Sequence, residues 1–192
     1  AGPPMCAEWE SEAWLARERA AAASALLGAL SDAVRRRVAR PPNDAHPVAV
    51  AFSGGIDCMV LARLADEHVP AAEPIELINV AVGGDSAPVA PDRLTARAGV
   101  DELRCISPAR DWRLVEVDVS LDELIERRAE LMQLLQPCPT AMDLNIGAAL
   151  WCGARGLGRL APVSAARRPH ADESRLCRYA RAAEAKAALP SP

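Results

Sequence analysis

The chain has 192 residues with a formal charge of −4; 51% of them are hydrophobic but only 3% aromatic, so one modest core of Leu, Val and Ile diluted by alanine is expected. The acidic balance argues against a dedicated nucleic-acid partner, and no signal peptide or long apolar span marks a membrane segment. Six cysteines without a C-x-x-C pair, beside three histidines, exclude zinc-site spacing and fit free thiols in a reducing, cytoplasmic setting.

Residues 8–40 are dense in alanine, with Trp14, Leu15, Leu26, Leu27, Leu30, Val34 and Val38 at helical spacing, and predict a long helix or helical pair that Pro41-Pro42-Asn43-Asp44 ends. Val48 to Phe52 predicts a buried strand, Ile56 to His68 a helix closed by Pro70, and Ile75 to Val82 a second strand. Gly83 to Pro88 reads as a loop and Asp92 to Leu103 as a helix. Trp112 to Val119 alternates apolar and polar, as a strand does. Ser120 with Glu123 three residues on forms a capping-box pattern for a helix to about Gln136, and Thr140 to Arg155 predicts another. Strands alternating with helices imply an α/β fold, a parallel sheet with flanking helices. From Ala161 the chain turns to Ala, Arg and Pro, which predicts a divergent, poorly packed tail over 161–192 with a possible helix at 173–188. The expected organisation is thus an N-terminal helical segment and linker (1–45), the α/β unit (46–160) and the tail.

The chemistry-bearing stretch is V-A-F-S-G-G-I-D-C-M-V, residues 50–60. Ser53-Gly54-Gly55 joins the first strand to a helix. Glycines there allow positive φ and close approach of a ligand to the backbone. The helix behind them presents unpaired N–H groups and the positive end of its dipole, which suits phosphate. Asp57 adds a carboxylate able to hold Mg²⁺. The loop lacks the Gly-Lys-Ser/Thr ending of a Walker A motif. The bland alternative is a tight strand-to-helix turn with an Asp in the first helical turn.

S-G-G-x-D-S after a first strand is the signature of pyrophosphate-loop enzymes, which cleave ATP between the α and β phosphates. The blocks D-A-V-R-R-R-V (32–38), V-A-V-A-F-S-G-G-I-D-C-M-V (48–60), E-P-I-E-L-I-N-V-A (73–81), P-D-R-L-T-A-R-A-G-V-D-E-L (91–103), S-P-A-R-D-W-R-L-V-E-V-D-V-S (107–120) and I-G-A-A-L-W-C-G-A-R-G-L-G (146–158) resemble the ATP-binding domain of asparagine synthetase type. The resemblance covers about 30 to 160. It implies a Rossmann-like, adenine nucleotide alpha hydrolase-like sheet. It also implies a ligase chemistry in which ATP adenylates aspartate and ammonia from glutamine displaces AMP. By motif, Ser53, Gly54 and Gly55 would cradle pyrophosphate, Asp57 would bind its Mg²⁺, Cys58 would close the loop, and Ala51 and Val80 would border the nucleotide.

This sequence departs from that pattern at four places. Cys58 stands where the family has a serine. Thr140-Ala141-Met142-Asp143 matches a Thr-Thr-x-Arg segment, with an acid for the base, so an anionic substrate would meet a like charge; the plain alternative is that Asp143 caps a helix. Nothing after Leu160 resembles the family's second nucleotide loop, which leaves the expected domain incomplete and the edge of the first strand bare. Met5-Cys6 is not the start of a glutaminase domain, because A-E-W-E-S-E-A-W follows in a helical pattern; that domain is expected to be absent. The expected function is therefore a pyrophosphate-loop ATP-binding domain with impaired amide synthesis, and the alternative is a non-enzymatic nucleotide- or partner-binding module.

Overall fold

The computed structural model describes residues 12–39, 46–137 and 140–162. Cys6, the linker at 41–44 and the expected tail from 163 onward lie outside these residues. Helix α1 (Glu12–Val38) is followed by strand β1 (Val48–Ala51), helix α2 (Ile56–His68) and strand β2 (Ile75–Val82). Helix α3 (Pro91–Ile106), strand β3 (Trp112–Val119), helices α4 (Leu121–Leu134) and α5 (Ala141–Ala154) and a two-residue strand β4 (Arg159–Leu160) complete it. The fold is α/β, as expected.

The sheet runs β1-β2-β3-β4. The first three strands are parallel, and β4 lies antiparallel to β3 with Val115 opposite Leu160. Alternation along the strands builds two cores. Ile75 and Leu77 of β2 and Trp112 and Leu114 of β3 pack with α2 and α3 on one face. Ile78, Val80, Val115, Val117 and Val119 meet Leu124, Trp151 and Cys152 of α4 and α5 on the other. Helix α1 joins the first layer through its last turns. Val34 is buried, and Ser31 Oγ lies 2.9 Å from His68 Nε2 of α2, whereas residues 15–29 are all exposed.

Three expectations are corrected. Strand β1, read as buried, lies at the edge of the sheet and alternates half-buried and exposed residues. The segment read as a loop at 83–88 is a 3₁₀ helix over Gly84–Val89, entered at Gly83 with φ +155. The Ser120–Glu123 capping box is only half made. Ser120 Oγ accepts from Glu123 N at 3.1 Å, but the Glu123 carboxylate takes Arg155 Nη1 at 2.6 Å instead of reaching back. Strand β4 has no forerunner in the sequence reading, because two residues are too few to show a period. It covers the β3 edge, extended by Ala161 N donating to Leu114 O at 2.8 Å. The β1 edge has no second strand beside it among the described residues.

Charged side chains lock the layers together. Arg110 is buried and donates Nε to Asp66 Oδ1 at 2.7 Å, Nη2 to Val69 O at 2.8 Å and Nη1 to Glu73 O at 2.6 Å, satisfying carbonyls at the end of α2 and in the turn that follows it. Glu116 of β3 is fully buried beneath three guanidinium groups. Arg97 Nε reaches it at 2.6 Å, Arg159 Nη2 at 2.9 Å and the buried Arg93 Nη1 at 3.1 Å. Arg93 also holds Asp118 at 2.7 Å and Val117 O at 3.0 Å.

Candidate functional site

Strand β1 delivers the chain to the carboxyl edge of the sheet, where ligands bind in open α/β folds. Its ladder with β2 ends at Ala51, opposite Ile78. Phe52 then leaves the ladder but stays anchored, its N–H donating to Ile78 O at 2.7 Å. Gly54 follows in the left-handed region at φ +83, and Gly55 is extended as the N-cap of α2. Gly54 meets two demands at once. A Cβ there would strain the backbone, and it would sit 2.5 Å from the carbonyl carbon and oxygen of Thr95 in α3. The loop therefore rests directly on a helix, and its shape follows from that packing as well as from its glycines.

No side chain caps α2, so its first-turn amides are left to whatever stands before them. Gly55 N is only loosely taken by Ser53 Oγ at 3.4 Å. Ser53, Gly55 and Asp57 are exposed. Asp57 takes no hydrogen bond or ion pair among the described residues, and no three metal-capable side chains cluster among them. A magnesium ion at this place would be held by one carboxylate together with phosphate oxygens and water, its ordinary habit. Cys58 sits in the same turn, its thiol donating to Gly55 O at 3.1 Å and lying 3.7 Å from Ser53 Oγ. It turns back on the loop instead of facing outward as a donor.

Ala51 and Val80 lie on the sheet face opposite α2. Ala51 is exposed there and Val80 half-buried. Val80 lines a cavity of about 260 Å³ with Val82, Leu121, Leu124, Ala148 and Cys152. The fold thus gathers Ser53 to Cys58 on one turn, with Ala51 and Val80 on neighbouring strands at the same end of the sheet. Burial raises the Cys152 thiol, while the charge of Arg155 pulls the other way, so this cysteine is an apolar wall of the cavity.

Asp143 is a cap. Its carboxylate accepts from Thr140 Oγ1 at 2.6 Å and from Thr140 N at 3.2 Å, while Asp143 N donates to Thr140 Oγ1 at 3.1 Å. The residue the sequence reading missed is Asn79, which is buried in β2 and donates Nδ2 to Phe52 O at 2.9 Å. The one signal available is an amide interrupting the apolar run I-E-L-I-N-V-A-V.

Comparison with known proteins decides the lineage. The chain is 38% identical over 156 residues to asparagine synthetase domain-containing protein 1 of Mus musculus, a match covering 62% of this chain and 25% of the relative. It is 36% identical over 188 residues to the protein of that name from Homo sapiens, covering 70% and 29%. The Gallus gallus protein of that name is 40% identical over 157 residues, covering 61% and 24%. This chain is homologous to part of the asparagine synthetase domain-containing proteins. It spans about a quarter to three tenths of the length of these relatives. No family model matches the chain, and no solved structure does. The asparagine synthetase domain resemblance read from the sequence is therefore supported by homology at the level of the domain. No helix among the described residues is long and apolar enough to cross a membrane.

Proposed function

We propose that Ser53–Asp57 form a pyrophosphate loop that binds the phosphates of ATP with Mg²⁺, in a domain of asparagine synthetase type. The observation that carries the reading is the uncapped start of α2 behind Gly54 and Gly55, with Asp57 exposed in its first turn and without a partner among the described residues. Amide N–H groups and the helix dipole favour the anion. Asp57 would reach the metal on the phosphate side, and magnesium would supply charge neutralisation there. The apolar cavity beside Val80 offers a slot for the adenine ring, and exposed Ala51 leaves room next to it.

The test is calorimetric titration of the whole chain with Mg-ATP. Binding in the millimolar range or tighter is expected, with Asp57→Ala weakening it about tenfold or more, the loss of one charge-assisted contact. No heat with the wild-type protein, or equal heat with the variant, would sink the reading. A second expectation concerns the thiol. Cys58→Ser supplies a stronger donor that can turn from Gly55 O to a bound phosphate, and it is expected to tighten Mg-ATP by about fivefold, roughly 1 kcal/mol. An unchanged dissociation constant in the same titration would mean the side chain never meets phosphate.

Amide synthesis from aspartate and glutamine is what the resemblance implies for such a domain. One observation favours a second reading, nucleotide binding without that chemistry. Asp143, standing where the resemblance has an arginine, is spent in a capping box and offers a substrate carboxylate no cation.

A further inference from the structure

We infer that Asn79 is the positioning residue of the phosphate loop, clipping the end of β1 and the start of α3 to one point on β2. The inference rests on the reading of Ser53–Asp57 as a phosphate site. Asn79 shares its strand face with Ile75, Leu77 and Ala81, all buried, and is itself 1% exposed. Its Nδ2 has two acceptors, Phe52 O at 2.9 Å and Asp92 O at 3.4 Å. Phe52 is the residue before Ser53, at the point where the β1 ladder has ended. The side-chain amide takes over the anchoring of the main chain just as it turns away from the sheet. Asp92 lies in the first turn of α3, and the next turn of that helix is the surface against which Gly54 packs. One side chain thus holds both the departing strand and the helix beneath the loop. Asn79 Oδ1 has no partner among the described residues. The donor end alone makes contacts, which an aspartate or an aliphatic side chain could not reproduce.

The experiment compares Asn79→Ala with Leu103→Ala, a core truncation in α3 away from the loop, chosen to lower the melting temperature to a similar extent. Native-state amide exchange and calorimetry with magnesium pyrophosphate are the two readouts. Asn79→Ala is expected to speed exchange at residues 53–57 and 92–96 about tenfold more than Leu103→Ala does, and to weaken pyrophosphate about tenfold, while Leu103→Ala leaves pyrophosphate affinity unchanged. Asn79→Ser, which keeps a hydroxyl donor, is expected to fall between them and serves where the alanine variant fails to fold. Exchange rising evenly through β2 and β3, or pyrophosphate affinity equal to that of Leu103→Ala, overturns the inference. A wild-type protein that takes up no pyrophosphate, with the local exchange response present, overturns the phosphate reading and leaves the clip standing.

Discussion

Glu116→Ala is expected to destabilise the protein by about 3–5 kcal/mol, the usual cost of removing one partner from a buried ionic network. The carboxylate is reached by Arg97, Arg159 and Arg93 at 2.6, 2.9 and 3.1 Å, from two secondary-structure elements besides its own. Without it, Arg93 keeps Asp118 and Val117 O but loses the neutralising charge beside a guanidinium that is fully buried. Arg97 and Arg159 are partly exposed and can turn to water, so Arg93 carries most of the penalty. Chemical denaturation reads the effect. Glu116→Gln separates charge from shape and is expected to cost less, since the amide still offers one oxygen; equal stability of wild type and Glu116→Ala would mean the network is neutral.

The same carboxylate sets a pH dependence. Burial pushes the Glu116 carboxyl upward, but the Arg97 hydrogen bond and the charges of Arg93, Arg97 and Arg159 outweigh it and hold the group below the ordinary carboxylate value of 4.5. A lowered folded value means that the unfolded chain takes up the proton first. The stabilisation is complete above the ordinary value and is lost as pH falls through the lowered one. Acid titration followed by circular dichroism should therefore show the stability gap between wild type and Glu116→Gln narrowing as pH falls below the ordinary carboxylate value, the variant losing less of its neutral-pH stability than wild type does.

Gly54→Ala is expected to cost about 3 kcal/mol or more, because it combines a strained left-handed residue with overpacking against backbone. The φ of +83 is only part of the penalty. The added methyl would meet Thr95 and Ala96 main-chain atoms at 2.5 and 2.6 Å, and a helix backbone has no rotamer by which to yield. The relief available is for the loop to lift away from α3, which would carry Ser53 and Gly55 with it. The variant should thus lose stability and Mg-ATP affinity together. Gly55→Ala is the comparison. At Gly55 φ is −68 and the nearest atom to an added Cβ is Ser53 Oγ at 3.4 Å, so the fold should tolerate it. Matching melting temperatures for Gly54→Ala and wild type would refute the packing argument.

Much of the site was legible because its signals are local. A short apolar run, two glycines and a periodic helix predict β1, the turn and α2 from adjacent residues, and β2 and β3 follow from composition and alternation. Asp143 was left between substrate contact and cap by the sequence, and its hydrogen bonds to Thr140 decide for the cap. Asn79 stayed hidden, since an amide in an apolar strand announces burial or a bulge equally well. Its meaning depends on Phe52, 27 positions away. Strand β4 stayed hidden for a related reason, as two residues beside a sheet edge carry no period.

The sequence by itself determined the order of the elements from α1 to α5, the glycine turn at Ser53-Gly54-Gly55 and the lineage, because each rests on neighbours along the chain or on similarity residue by residue. Only the tertiary structure decided that Gly54 is required by helix α3, that Glu116 gathers three arginines, that β4 closes the β3 edge and that Asn79 ties the loop down. Those features join residues far apart in the chain. Burial and partner geometry, which set the energy of a charge or an amide, exist only once the layers have packed.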